Sequence, residues 1–232
     1  MEKKIKRQKL QDKTYFEGTE YQFIESLKLG PWTSYSMIHD PKHMCFVLSR
    51  YKFVSKMISG KKKILEIGCG DGFGFPIIAQ VADEVHGVDR DDRLLQGNRE
   101  RLNFLKDKAK FFNLDLVQKA PEEKYDAIFS IDVIEHLEPK DENKFIENSV
   151  KGLKDDGIYI IGTPNISANQ HATDRSRVQH INLKSHEDLR AILDKYFING
   201  FIFSMNDEVI HTGYYPMAQY LFAMGVGVLN KK

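Results

Sequence analysis

The 232-residue chain has little of several features that would assign it to a specialised class of protein. It contains only two cysteines, Cys45 and Cys69, so we expect reduced thiols in an intracellular setting rather than a disulfide framework. Its formal net charge is +1, which argues against a broad nucleic-acid-binding face, and we expect no nucleic-acid partner. Hydrophobic residues make up 41% and aromatic residues 11%, as is typical of a globular protein.

Long apolar runs are also missing. The basic residues at 1–9 are followed by no apolar segment, so the sequence predicts no signal peptide. The most apolar window, 214–229, is interrupted by Pro216 and Gln219 and is shorter than the roughly 20 residues that span a bilayer. We therefore expect no membrane span and a cytoplasmic location.

Two common phosphate-binding motifs are absent from the glycine-rich segment. A dinucleotide fingerprint, G-x-G-x-x-G, would need its third glycine where Phe73 or Phe75 stands, and no G-x-x-x-x-G-K-[ST] loop occurs. An apolar run at 63–67 leads instead into Glu66-Ile67-Gly68-Cys69-Gly70-Asp71-Gly72, and apolar residues follow at 73–81. This order predicts the first strand, turn and helix of a nucleotide-binding fold, whose ligand lies at the carboxyl ends of the strands.

The rest of the chain alternates strand-like and helix-like segments, which predicts an α/β fold. We expect a doubly wound, Rossmann-like, mostly parallel sheet of seven strands with helices on both faces. Residues 61–232 are expected to form this domain, and residues 1–60 an aromatic, helical cap or lid within one compact unit. Strands are predicted near 63–67, 85–89, 110–113, 125–131, 157–162, 197–204 and 217–224, and helices near 73–81, 91–105, 140–153 and 185–195.

Asp89 ends the second predicted strand, 21 positions after Gly68. A carboxylate at about this separation accepts hydrogen bonds from ribose hydroxyls in nucleotide-binding folds. The alternative role is that of a helix N-cap, but Asp91 can fill it, so we favour ribose binding for Asp89. Asp141 and Ser185 are the expected caps of the two helices that follow.

The E-x-G-x-G-x-G spacing and the segment Tyr125-Asp126-Ala127-Ile128-Phe129, followed by Asp132-Val133-Ile134-Glu135-His136-Leu137, carry a family resemblance. The chain resembles class I S-adenosylmethionine-dependent methyltransferases, in particular those related to ubiquinone-biosynthesis O-methyltransferases. The resemblance implies S-adenosylmethionine as cofactor, S-adenosylhomocysteine as product, and Asp115 as a contact of the adenine amino group. The cofactor-binding residues it implies are Glu66, Gly68, Cys69, Gly70, Gly72, Asp89, Arg90, Asp115, Leu116, Ser130 and Ile131.

Three histidines are candidates for catalysis, namely His136, His180 and His211. A neutral imidazole can take a proton from an acceptor because its ordinary pKa lies near 6.5. The expected acceptor is a small polar molecule such as a sugar, a nucleotide-linked sugar or a phosphorylated metabolite. The chain is also similar to methyltransferases of bacterial surface-polysaccharide gene clusters. Predicted acceptor-binding residues are Trp32, Tyr35, His39, Asn165 and Asn206.

Two alternatives stay open at this point. Asp132, Glu135, His136 and the later His180 resemble the metal-binding set of small-RNA 3′-end methyltransferases, in which a divalent ion would hold a vicinal diol. The first position is Asp instead of Glu, and we favour a histidine base, or histidines that only shape the pocket, over a metal. The other alternative is a nucleotide-binding module that retains the fold without catalysis. The sequence leaves the oligomeric state undecided.

Overall fold

The computed structural model describes residues 26–229. Its helices are α1 (Pro31–His39), α2 (His43–Met57), α3 (Phe75–Ile78), α4 (Asp92–Arg101), α5 (Glu142–Lys151), α6 (Asp174–Gln179) and α7 (His186–Tyr196). Its strands are β1 (Lys63–Ile67), β2 (Glu84–Asp89), β3 (Ala109–Asn113), β4 (Tyr125–Ile131), β5 (Leu153–Pro164), β6 (Phe197–Asn206), β7 (Val209–His211) and β8 (Tyr220–Val228).

The strands form one sheet in the order β3-β2-β1-β4-β5-β8-β6-β7, and the first five run parallel. β8 lies antiparallel between β5 and β6. The predicted α/β fold with a mostly parallel sheet is confirmed. Seven strands were predicted, but residues 26–229 contain eight. The additional strand is the segment 209–211, which pairs with the end of β6. Three residues are too few to show the alternation that identifies a strand in a sequence.

The centre of the sheet is buried on both faces. Along β5, Ile158 and Ile160 belong to one hydrophobic core, whereas Tyr159 and Ile161 belong to the other. Successive side chains of a strand point to opposite faces, so an uninterrupted apolar run needs a layer of helices on each side. α2 and α3 contribute to the first core, and α5 and α7 to the second.

The N-terminal segment divides into two parts where it is described. α2 belongs to the core, because Phe53, Val54 and Ile58 near its end are buried. The Phe53 ring packs 4.6 Å from that of Phe222 in β8, measured between centroids. α1, by contrast, is mostly exposed. The domain boundary at residue 60 stays a prediction, and residues 1–25 of the predicted cap lie outside the described residues.

Two of the three predicted helix caps are present in the structure. Asp91 accepts a hydrogen bond from Arg93 N at the start of α4, and Ser185 forms a capping box with Asp188. Asp141 makes no side-chain cap bond, contrary to prediction, because its own backbone is already helical at the end of the turn Pro139–Asp141. None of the helices within residues 26–229 has the length and apolar character needed to cross a membrane.

Candidate functional site

The glycine loop joins β1 to the following helix through left-handed backbone. Gly68, Gly70 and Gly72 have φ angles of +69°, +52° and +71°, a region that residues with a side chain rarely adopt. A Cβ atom on Gly68 would lie 2.5 Å from Cγ2 of Val133. The loop therefore packs directly against the turn that follows β4, and a bulkier residue at position 68 would separate the two.

Asp89 connects this loop to the end of β2. One carboxylate oxygen accepts a hydrogen bond from Gly70 N and the other from Asp91 N, both at 3.0 Å. A carboxylate offers about four lone-pair sites, so acceptor capacity remains for a ligand. The side chain is half-buried at the carboxyl edge of the sheet. Ribose binding by Asp89 stays a prediction, and this position fits it.

Glu66 lies buried beneath the loop. Tyr51 of α2 donates a 2.6 Å hydrogen bond to Oε1 of Glu66, and Oε2 has no partner among the described residues. Burial, together with the charges of Asp89 and Asp71, raises the pKa of Glu66 to about 8 although the hydrogen bond from Tyr51 lowers it. The carboxyl is therefore mainly neutral at pH 7, and its open oxygen is a hydrogen-bonding atom that a bound cofactor could satisfy.

Asp71, in the same loop, caps α1. Thr33 donates to its carboxylate twice, from the backbone N–H at 2.8 Å and from Oγ1 at 2.9 Å. α1 begins at Pro31 and has no side-chain cap of its own, so this carboxylate serves its N-terminus. A Cβ on Gly70 would lie 3.3 Å from Cζ3 of Trp32. α1 is thus held over the glycine loop.

The turn after β4 carries Asp132 in an unusual backbone conformation, with φ of +56°. Arg50 of α2 donates a 2.6 Å hydrogen bond to Oδ2 of Asp132, and the Arg50 guanidinium lies 3.9 Å from the centroid of the Tyr220 ring. The strained turn is therefore held by an ion pair whose cation comes from the N-terminal segment.

Glu135 follows in the same turn and is fully buried. Thr163, near the end of β5, donates to Oε2 of Glu135 at 3.0 Å, while Oε1 has no partner among residues 26–229. Burial, together with the nearby charge of Asp132, raises the pKa of Glu135 to about 8. Within residues 26–229, one oxygen of this buried carboxyl is therefore left without a hydrogen-bond partner.

His136 and His180 lie together, with ring centroids 5.0 Å apart. His136 Nδ1 is 3.1 Å from the carbonyl oxygen of Gln179, at the end of α6. Burial lowers the pKa of His180, and His136 lowers it further, so the His180 imidazole is neutral near pH 7. One ligand atom each from Glu135, His136 and His180 lie within 4.8 Å of one another.

A buried polar clasp fixes the loop that carries His180. Asn182 N donates to Glu135 O at 3.0 Å, and Asn182 Nδ2 donates to Glu142 Oε2 at 2.7 Å. Lys184 binds Asn182 Oδ1 at 2.8 Å and forms an ion pair with Glu142. The position of His180 relative to His136 is thus set by bonds between segments that are about 40 residues apart in sequence.

Three predicted site residues do not lie beside His136 and His180. His211 stands on β7, the outermost strand, four strands and roughly 19 Å of sheet width from β4. Its two ring nitrogens bond to Asn206 Oδ1 and Gly213 N within the hairpin. Asn206 also donates to Met217 O. The buried Asn165 donates to Tyr215 O and Ala218 O and accepts from Ser167 N. The polar atoms of these side chains are therefore hydrogen-bonded within the protein.

The other predicted contacts lie near the carboxyl ends of the parallel strands. Asp115 accepts a 2.8 Å hydrogen bond from Val117 N, and the Tyr35 ring packs edge-on against His39 at 4.1 Å. Arg175 of α6 lies 5.3 Å from the centroid of the Tyr35 ring, so α1 and α6 meet above the site. The remaining predicted cofactor contacts are the exposed Arg90 and the buried Cys69, Leu116, Ser130 and Ile131.

Sequence reasoning missed the residues that enter the site from outside the motifs. These are Thr33, Arg50, Tyr51, Thr163, Lys184 and Tyr220. An arginine or tyrosine in an amphipathic helix carries no local signal of such a role. Arg50 and Asp132 are 82 positions apart, and only folding brings them together.

Comparison with known proteins relates the middle of the chain to methyltransferases. Residues 65–159 match a protein-family model described as a methyltransferase domain. Over 104 residues the chain is 32% identical to a probable S-adenosylmethionine-dependent methyltransferase of Mycolicibacterium smegmatis. That alignment covers 45% of this chain and 38% of that protein, so the chain spans well under half the length of this curated relative.

Solved structures agree in fold. The methyltransferase domain of bacterial CtHen1 superposes with a TM-score of 0.64 at 18% identity, covering 78% of this chain and 99% of that one. The N-methyltransferase NodS from Bradyrhizobium japonicum WM9, in complex with S-adenosylhomocysteine, gives 0.60 at 17% identity over 84% and 92% of the two chains. Residues 65–159 therefore match a methyltransferase domain, and the chain shares its fold with solved methyltransferase structures.

Proposed function

We propose that the protein transfers a methyl group from S-adenosylmethionine to an oxygen or nitrogen atom of a small polar acceptor. The observation that carries this proposal is the packing of Gly68 against Val133. It joins the cofactor loop to the turn that bears His136, beside which His180 lies. A cofactor on the loop and an acceptor beside the histidines would meet at one edge of the sheet.

Methyl transfer from a sulfonium requires few catalytic groups from the protein. The methyl carbon of a sulfonium is already activated, so direct displacement by the acceptor needs no covalent enzyme intermediate. The chain has to align the two reactants and remove a proton. His180 suits the second task, because an imidazole held neutral near pH 7 can accept a proton from a hydroxyl or an ammonium group.

We further propose that α1 acts as a lid over the acceptor, with Trp32, Tyr35 and His39 toward it. Support comes from its two attachments, to Asp71 in the glycine loop and to Arg175 of α6. Sugars, nucleotide-linked sugars and phosphorylated metabolites are the acceptor classes we consider. A relation to ubiquinone-biosynthesis enzymes and a place in surface-polysaccharide synthesis remain hypotheses based on the sequence resemblance.

A metal-assisted reaction at an RNA end is the second candidate. The clustering of Glu135, His136 and His180 favours a divalent ion. The pairing of Arg50 with Asp132 opposes it, because the guanidinium already neutralises Asp132, the remaining residue of the predicted ligand set. We rank this candidate below metal-free transfer, and below both we place a module that binds nucleotide without catalysis.

The test combines binding and turnover. Calorimetry should detect S-adenosylhomocysteine binding, and mass spectrometry should detect a methylated product when the protein is supplied with S-adenosylmethionine and a metabolite extract of the source organism. Turnover that survives exhaustive treatment with a chelator supports the histidine base. Turnover that stops with chelator and returns with Mg²⁺, Mn²⁺ or Zn²⁺ would replace it with the metal-assisted reaction.

A further inference from the structure

Trp32 is the only tryptophan of the chain, and its ring rests on the glycine loop. A Cβ atom on Gly70 would lie 3.3 Å from Cζ3 and 3.4 Å from Cε3 of this ring. A residue without a side chain lets the indole approach the loop backbone this closely. One edge of the ring therefore touches the loop, while 63% of the residue is exposed and open to a ligand.

The next residue of α1 fixes the ring in this place. Thr33 is buried, and it donates to the Asp71 carboxylate from its backbone N–H at 2.8 Å and from Oγ1 at 2.9 Å. Asp71 belongs to the same loop on which the Trp32 ring rests. The start of α1 and the glycine loop are thus joined by two hydrogen bonds, and the ring is held at the loop although it is largely exposed.

The part of the loop that Trp32 covers lies next to the ribose site proposed at Asp89, because Gly70 N donates to Asp89 at 3.0 Å. In S-adenosylmethionine the sulfonium is bonded to the 5′ carbon of the ribose, so a ribose held by Asp89 places the sulfur only a few bonds away. The methyl group has to face the turn after β4. Since β1 lies between β2 and β4 in the sheet, the line from Asp89 to that turn crosses the loop after β1, beside the Trp32 ring.

The carboxylates of the loop are engaged with other groups. Asp71 accepts both hydrogen bonds from Thr33, and Asp89 accepts from Gly70 N and Asp91 N, with its remaining acceptor capacity proposed for the ribose. An aromatic ring carries negative charge on its faces, and indole is the best of the aromatic partners for a cation. An open indole at this point is therefore suited to a positively charged sulfur.

We infer that Trp32 is a cofactor contact, whose ring stabilises the sulfonium of S-adenosylmethionine by a cation–π interaction and thereby favours the cofactor over its product. The inference rests on the proposed methyl transfer and gives Trp32 a role on the cofactor in addition to the predicted acceptor contact. When the methyl group leaves, the electron pair of the broken carbon–sulfur bond stays on sulfur, which becomes neutral. The contact then weakens, and exchange of product for new cofactor is promoted.

The experiment measures the affinity of the full chain for three ligands by calorimetry. These are S-adenosylmethionine, the neutral S-adenosylhomocysteine, and sinefungin, which carries an amine at the position of the sulfonium methyl group. Trp32→Leu should weaken the binding of the two cationic ligands relative to S-adenosylhomocysteine by about fivefold, the equivalent of roughly 1 kcal/mol of cation–π energy. Trp32→Phe keeps an aromatic face and should lie between the parent protein and Trp32→Leu.

Phe201→Leu is the matched control, since it also removes an exposed aromatic ring, but from β6. Its relative affinities for the three ligands should equal those of the parent protein. An equal loss of affinity for all three ligands in Trp32→Leu, or no change in any of them, would overturn the inference while leaving the proposed methyl transfer intact. If the parent protein binds none of the three ligands, the proposed methyl transfer itself is wrong, and the inference falls with it.

Fluorescence supplies a second readout that needs no substitution. Because the chain has one tryptophan, selective excitation of tryptophan reports on Trp32 alone. We expect saturating S-adenosylmethionine to change the emission more than saturating S-adenosylhomocysteine does. Identical emission with the two ligands would place the sulfonium away from the ring and contradict the inference.

Discussion

The proposed cofactor side and the proposed acceptor side of this site are built in different ways. On the proposed cofactor side a backbone group ties the glycine loop to the end of β2, since Gly70 N donates to Asp89, 19 positions away. On the proposed acceptor side the contacts join distant segments through side chains, such as Arg50 to Asp132. The first kind of site follows from local chain geometry, whereas the second depends on the packing of the whole domain.

Removing the lid should separate the two sides most strongly. Deletion of residues 1–40 removes α1 and leaves α2, whose Phe53 and Val54 belong to the core. We expect binding of S-adenosylhomocysteine to persist and turnover of the acceptor to be abolished. Calorimetry and a methyl-transfer assay on the same preparation measure both. Full turnover by the truncated protein would show that α1 does not hold the acceptor.

The next largest effect is expected at His180. His180→Ala should lower kcat by about 10²–10⁴-fold with little change in cofactor affinity, because a general base contributes about that much. His171→Ala, an exposed histidine on the preceding loop, serves as the control. A rise in KM without a fall in kcat would reassign His180 to acceptor binding.

The pH profile tests the same residue. Because burial lowers the pKa of His180 below its ordinary 6.5, the base form predominates at neutral pH. Activity should therefore be lost as the pH falls through that lowered pKa, on the acid side of 6.5. The acid limb should disappear from the residual activity of His180→Ala, and a limb that persists would belong to another group.

Glu66 makes the cofactor side sensitive to pH through stability. Its pKa of about 8 in the folded protein exceeds the value of 4.5 expected when unfolded, so the folded state holds an extra proton between these values. Stability should then fall as the pH rises from 4.5 to 8, by up to about 1.4 kcal/mol per pH unit. Thermal unfolding of Glu66→Gln should show a flatter profile, and that of exposed Glu208→Gln should not.

The smallest of these effects is expected at Asp89. Asp89→Ala should weaken binding of S-adenosylhomocysteine by about 1–3 kcal/mol through loss of charge-assisted bonds. Asp83→Ala, an exposed aspartate just before β2, is the control. Calorimetry that finds equal affinity for parent and Asp89→Ala would remove Asp89 from the ribose site and leave it as a support of the loop.

The fold was largely predictable because its signals are local. The apolar runs at β1, β4 and β5 and the glycine spacing after β1 each lie within a dozen residues, and the structure has strands and a left-handed loop there. β7 was missed because three residues show no period. His211 was predicted as a candidate for catalysis, but it lies on β7, the outermost strand of the sheet.

The sequence by itself determined the class of fold, the glycine loop and the placement of Asp89. Each depends on residue types at fixed short spacings, which backbone geometry converts directly into structure. Only the tertiary structure decided that Arg50 neutralises Asp132, that Tyr51 bonds to Glu66 and that Lys184 and Asn182 hold His180 beside His136. These contacts join different elements of the fold, so packing, and not local spacing, decides which residues become partners.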